Sequence, residues 1–249
     1  MEHSRRTGVL RLELLNEIRK LAPWKRRVVP HFLSFVLLRQ QLVEVAESPV
    51  LIAVYGDSTI YGWSKIGAGY ARVEQPAPAI LQSLLREKFG NSVTVANHGV
   101  NGSTAGNLLD GDGTNLPWDR EMRASQAKII VLAFGINDSK VESKESVAQF
   151  GLIEDRLIRI AKSHGKTVIL ETSNPVNFAP CAALPLYAKE TVDVGRRNSV
   201  PVIDQYGHLS HLDWFLLTSD GAHPAQSGYR VKAEYEFKYV APIFESLTR

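Results

Sequence analysis

From Val50 onward, short runs rich in β-forming residues alternate with stretches whose apolar residues recur three and four apart, and this alternation restricts the fold more than any other feature. The apolar runs Val50–Tyr55, Val93–Ala96, Ile129–Phe134, Val168–Leu170 and Val200–Ile203 predict five strands. Helices are predicted over Pro78–Phe89, Val147–Ala161, Leu186–Asn198 and Ala225–Leu247. In the second, Phe150, Ile153, Leu157 and Ile160 make one stripe, and Gly165 follows at a helix stop. Parallel strands need a crossover, and the crossover helices must cover the sheet faces. The expectation is therefore an α/β fold with a doubly wound, five-stranded parallel sheet. Its loops at the carboxyl ends of the strands meet on one rim, where such sheets hold ligands.

The chain has 249 residues, enough for one sizeable core, which predicts a single domain over residues 49–249 preceded by an extension over residues 1–48. Leu10, Leu14, Ile18 and Leu21 recur at helical spacing, and Phe32–Val45 reads as a second helix after Pro30. An amphipathic pair packing on the domain or on a partner is favoured over membrane binding. Residues 1–48 hold nine Lys/Arg against five Asp/Glu, whereas the remainder holds twenty against twenty-one. The basic character thus belongs to the extension, and the body has no basic stripe interleaved with aromatics, so nucleic-acid binding is not expected. No apolar run approaches the roughly eighteen residues of a membrane helix. Phe32–Leu38, after Lys25-Arg26-Arg27, resembles a signal-peptide core but is cut by Arg39 and lies late for one. A cytoplasmic location is the default and export stays open; oligomeric state is not readable. Cys181 is the one cysteine, which excludes an internal disulfide and any multi-cysteine zinc site.

Four stretches carry the residues that could do chemistry. The first strand stops at Gly56-Asp57-Ser58, and a serine placed there sits at the rim, making Ser58 the candidate nucleophile; alone, the triplet is ordinary turn chemistry. After the second strand, Asn97 to Gly106 is neither G-x-G-x-x-G nor a Walker loop, so nucleotide binding is rejected. A tight turn there could instead aim the Gly102 N–H at a developing oxyanion. After the third strand comes Gly135-Ile136-Asn137-Asp138, where the Asn137 amide can be a further donor; an Asx turn is the plain alternative. Near the C-terminus, Asp220 and His223 lie three apart, with Pro224 suited to starting a helix, so the carboxylate can reach Nδ1 and leave Nε2 free to take a serine proton. Asp110, Asp112, Thr114 and Glu121 fall at positions of a calcium loop, but Asn115 stands where glycine is required and Pro117 interrupts it, so a surface turn is expected and no metal. Trp63 and Trp118 follow rim segments and are candidates to stack on a sugar or cover an acyl chain, with packing the alternative. The stretch Asn174–Pro185 reads as a loop over the same rim that could shape a pocket, with a plain connecting loop the alternative.

Taken in order, Gly56-Asp57-Ser58, Gly102, Gly135-Ile136-Asn137-Asp138 and Asp220-Gly221-Ala222-His223 resemble the blocks of the SGNH hydrolases, also called the GDSL esterase/lipase family, over Val50 to Leu247. The resemblance implies a flavodoxin-like three-layer α/β/α sandwich. It implies Ser58 as nucleophile, His223 as general base and Asp220 as the residue orienting it. The N–H groups of Ser58 and Gly102 and the Asn137 side chain would form the oxyanion hole, and no cofactor is implied. The rival serine-hydrolase fold needs G-x-S-x-G, whereas Ser58 is followed by Thr59-Ile60. Family members act on acyl glycerides, thioesters, phospholipids and acetylated polysaccharides. Since no long apolar stretch lies near the site, a short acyl group is expected, such as acetyl on a carbohydrate or small molecule. The alternative is a non-catalytic glycan- or protein-binding module, which requires no contact among Ser58, His223 and Asp220.

Overall fold

The computed structural model describes residues 50–248, and the helical pair expected within residues 1–48 lies outside the described residues. The chain runs β1 (Val50–Gly56), α1 (Ser58–Tyr61), β2 (Trp63–Ile66), β3 (Gly69–Arg72), α2 (Ala77–Phe89), β4 (Val93–Gly99), α3 (Ala105–Asp110), α4 (Trp118–Ala124), β5 (Ile129–Phe134), α5 (Val147–Ser163), β6 (Thr167–Thr172), α6 (Leu184–Asn198), β7 (Val202–Ile203), α7 (Gln205–Ser210) and α8 (Gln226–Thr248). Five of the strands form one parallel sheet in the order β4-β1-β5-β6-β7, and β2 and β3 form a separate antiparallel hairpin. The register sets Gly56 level with Gly99 on one side and with Ala133 on the other, so three strands end together.

Alternation along each strand splits the core into two layers. Ala53 and Tyr55 of β1 face α3 to α6, joining Trp118, Phe150, Leu157 and Val194. Ile52 and Val54 face α2 and α8, joining Leu81, Leu85, Ala233 and Phe244. The expected three-layer sandwich around a five-stranded parallel sheet is therefore the fold observed. The long helices hold because their stripes reach a sheet face; α5 adds a capping box in which Ser146 and Gln149 satisfy each other's free N–H groups. The fifth strand is two residues long, shorter than Val200–Ile203, because Pro201 has no N–H to give the ladder and lends only its carbonyl to Leu170. The last helix opens at Gln226; Pro224 instead pairs with Thr218 in an isolated bridge that closes the preceding loop.

Behind the rim, on the α8 side, lies a buried charge cluster. Lys232 Nζ is 3.4 Å from Glu171 Oε1 and 3.5 Å from Asn174 Oδ1, with Glu236 alongside, and all four residues are almost wholly withdrawn from solvent. Burial raises both carboxyls above their ordinary range; the Glu171 charge adds to this at Glu236, and the Lys232 charge opposes it at both. Among the described residues, no helix is long and apolar enough to cross a membrane.

Candidate active site

The serine is presented by a short helix built for the purpose. Asp57, buried at the end of β1, caps α1 by accepting the Thr59 N–H and hydroxyl, each at 2.8 Å, and Gly62 closes it in the left-handed conformation with its N–H on the Ser58 carbonyl. Gly99 at the end of β4 makes this possible. A Cβ there would lie 2.2 Å from the Tyr61 nitrogen, so only glycine lets the strand end and α1 approach. Asn97 adds to the junction by donating to the Ile60 carbonyl at 2.8 Å and accepting the Gly99 N–H.

Ser58 Oγ is 3.1 Å from His223 Nε2, and His223 Nδ1 is 2.8 Å from Asp220 Oδ2. The other oxygen of Asp220 accepts the N–H groups of His223 and Ala222 at 2.7 and 3.0 Å. Partial burial works to raise the Asp220 pKa, but the bonds from the His223 ring and from these two N–H groups outweigh it and hold the carboxyl at about 2. The carboxylate stays charged at neutral pH and so fixes the Nδ1–H tautomer, leaving the Nε2 lone pair toward Ser58. The loop carrying the pair is tied on both sides. Ser219 donates its N–H to the His223 carbonyl at 2.8 Å, Asn174 donates to the Ala222 carbonyl at 3.1 Å, and Asn177 gives its N–H to the Gly221 carbonyl at 2.7 Å.

Gly102 lies at the tip of a turn from Val100 to Ser103 with φ +78°, a conformation that favours glycine. The N–H groups of Ser58 and Gly102 have no acceptor among the described residues. Asn137 stands on the loop after β5, one amide hydrogen given to the Ser103 carbonyl at 2.9 Å. Its neighbour Asp138 is buried and staples that loop to α3, accepting the Gly135 N–H at 2.9 Å and the Ala105 N–H at 2.7 Å. Burial is the main reason its carboxyl is pushed up to about 7, with the Glu145 charge adding and the backbone bonds opposing.

These residues open on one cleft of about 460 Å³, lined by Ser58, Gly102, Asn137, Asp220 and His223, and by Trp63, Tyr70, Phe178, Ile136 and Lys140. The structure brings Trp63 to the cleft but not Trp118. The latter is fully buried, meets Tyr55 edge-on and donates its Nε1–H to the Leu157 carbonyl at 2.9 Å, so its expected substrate contact is corrected to a core role. Its position at the start of α4 turns it under the sheet. Asp112 accepts the Thr114 and Asn115 N–H groups and Glu121 accepts the Tyr55 hydroxyl, so the acidic loop closes on its own protein donors.

Sequence reading missed Tyr70, Phe178 and Lys140. Tyr70 sits on the β2–β3 hairpin, stacks parallel to Trp63 with centroids 6.4 Å apart, and donates its hydroxyl to Asp220 Oδ2 at 3.0 Å. No apolar alternation announces that hairpin, because its residues past Ser64 face solvent. Phe178 lies in the loop expected over the rim, but that reading singled out no residue within it, and Lys140 lies in a loop whose direction was not legible.

The arrangement can deprotonate a hydroxyl, place it against a carbonyl and meet the resulting negative charge with fixed donors. No curated protein matches the chain. Among solved structures it resembles the lipase/acylhydrolase from Enterococcus faecalis, at 22% identity and TM-score 0.64 over 78% of this chain and 96% of that one. A catalytic mutant of Axe2, an acetylxylan esterase from Geobacillus stearothermophilus, aligns at 18% identity and TM-score 0.61 over 77% and 94% of the two chains. The native M. smegmatis aryl esterase aligns at 16% and 0.61 over 77% and 98%. At such identities the likeness concerns the fold. The family described as GDSL-like Lipase/Acylhydrolase matches residues 54–231, most of the chain, and it is to this family that the protein belongs.

Proposed function

We propose that the protein is a serine esterase that hydrolyses carboxylic esters of short acyl groups, such as acetyl on a carbohydrate or small molecule, by way of an acyl-enzyme. The observation that carries this reading is the continuous run of contacts from Asp220 through His223 to Ser58, ending beside backbone N–H groups with no acceptor among the described residues. Ser58 Oγ loses its proton to His223 Nε2 and attacks the ester carbonyl carbon. The carbonyl oxygen, now negative, takes hydrogen bonds from the N–H groups of Ser58 and Gly102 and from the free Asn137 amide hydrogen. His223 passes its proton to the departing alcohol. Water, deprotonated by the same imidazole, then attacks the acyl-Ser58 ester and releases the acid.

The parallel rings of Trp63 and Tyr70, with Phe178 facing the same cleft, give flat apolar surfaces of the kind that stack on a pyranose or aryl group. The acetylxylan esterase among the structural neighbours is consistent with a small acyl group on a carbohydrate. The test is hydrolysis of p-nitrophenyl esters from acetyl to long acyl chains by the wild-type protein and Ser58→Ala in parallel. We expect turnover that falls with acyl length and disappears in the variant. Absence of any Ser58-dependent hydrolysis across the series, acetylated xylo-oligosaccharides included, would refute the reading.

A further inference from the structure

We infer that Lys140 is a positioning residue for the oxyanion site, acting through the Asn137 side chain; the inference rests on the esterase reading above. Lys140 Nζ is 2.7 Å from Asn137 Oδ1, and this is its one side-chain partner among the described residues. An ammonium can only donate and the Ser103 carbonyl, 2.9 Å from Nδ2, can only accept. The two contacts therefore key the amide from both ends. Oδ1 must face Lys140, Nδ2 must face Ser103, and the second Nδ2 hydrogen is left for the cleft. An unkeyed amide could rotate by 180° and turn a carbonyl oxygen toward the developing negative charge.

The lysine itself is held. Its carbonyl accepts the Ser143 hydroxyl at 2.7 Å and its N–H reaches the Asn137 carbonyl at 3.3 Å, so Asn137 and Lys140 share one tight turn. Its stem is half-buried and lines the same cleft as Ser58. A cation bonded to Oδ1 also draws electron density from the amide, which makes Nδ2–H a stronger donor. Both effects stabilise the tetrahedral species more than the bound ester, so their loss belongs in kcat.

The test uses the full chain with p-nitrophenyl acetate and the variants Lys140→Met, Lys140→Gln, Lys140→Arg, Asn137→Ala and Asn137→Ala/Lys140→Met, with Ser58→Ala as control. Removing an oxyanion donor outright costs about 10²–10³-fold, and Lys140→Met only weakens one, so kcat is expected to fall on the order of tenfold with KM within about twofold. Lys140→Gln should behave like Lys140→Met, which keeps the test sound should one variant fold poorly, and Lys140→Arg should recover most of the loss. In the Asn137→Ala background the lysine change should alter kcat by less than about twofold, because the amide it acts through is gone. An equal loss in that background, or a loss carried by KM, overturns the role of Lys140 and leaves the esterase reading standing. Wild-type turnover that does not depend on Ser58 overturns both.

Discussion

Lys232→Met should weaken the fold far more at pH 8 than at pH 5. Among the described residues Lys232 is the one cation beside these two buried carboxyls, and both carboxyls already sit above their ordinary range because burial penalises their charge. A carboxyl raised in the folded state keeps a proton that the unfolded chain has released, so its stability penalty grows as pH rises from the unfolded value toward the folded one. Methionine keeps the length of the lysine stem and removes the charge, so the cluster must then hold one more proton. At about 1.4 kcal/mol per pH unit above an ordinary Glu value of about 4.3, that proton costs about 1 kcal/mol at pH 5 and about 5 kcal/mol at pH 8. The second figure agrees with the 3–5 kcal/mol typical of breaking a buried ion pair. For a domain of this size 1 kcal/mol moves Tm by about 2–4 °C, so the gap between wild type and variant should widen by roughly 8–16 °C from pH 5 to pH 8. Thermal denaturation followed by circular dichroism at the two pH values measures it. Glu236→Gln is the companion: it replaces the carboxyl that makes no ion pair with Lys232 by a neutral isostere, and should leave Tm at pH 8 unchanged or higher. Equal losses for Lys232→Met at both pH values, or a Glu236→Gln variant as crippled as Lys232→Met, would refute the reasoning.

Asn137→Ala should lower kcat for acetyl esters by about 10²–10³-fold, read in steady-state kinetics, since it removes a fixed donor from the forming oxyanion. Asp220→Asn should lower kcat at pH 8 on the order of a thousand-fold or more. Its carboxyl is held at about 2, so the charge that orients His223 is complete at pH 8, and a variant within tenfold of the wild type there would contradict this. Gly99→Ala would force a Cβ within 2.2 Å of the Tyr61 nitrogen and 2.7 Å of the Ile60 carbonyl carbon, both backbone atoms of α1. Overpacking of that kind costs about 1–3 kcal/mol, and because α1 carries Ser58 the loss should appear in kcat as well as in urea midpoints.

The five strands and four long helices were legible because each obeys a period that burial enforces: two for strands, 3.6 for helices. What escaped was set by partners distant in sequence. Trp118 and Trp63 follow similar turns, yet one is drawn under the sheet by the Leu157 carbonyl on α5 and the other faces the cleft on the hairpin. Nothing within ten residues of either separates the two cases. Tyr70 meets Asp220 across 150 positions, and its hairpin is exposed, so no pattern of burial could disclose it. Lys140 is different in kind. It lies three residues from Asn137 and was in plain view, but a lysine after a turn is ordinary; only its bond to Oδ1 separates it from a solvated side chain.

The topology explains why three separate stretches could be recognised as one site. Order β4-β1-β5 places the strand that leads into Ser58 between the two whose following loops carry Gly102 and Asn137. With Gly56 level with both Gly99 and Ala133, all three loops leave the sheet at one height, and neighbouring strands are about 4.8 Å apart. Donors on either side of a serine are then brought within a few ångströms of it by the sheet itself, whatever the loops contain. His223 has no such guarantee, since it follows the last strand and no register fixes it. This is why its loop needs the ties from Ser219, Asn174 and Asn177, and why the Tyr70 hydroxyl on Asp220 supports it from the hairpin side. The loops bearing Ser58, Gly102 and Asn137 are set side by side by strand pairing, whereas the loop of His223 is held by bonds from other loops, backbone and side-chain alike. Substitutions in the loop that holds His223 should therefore reduce activity well before they reduce stability.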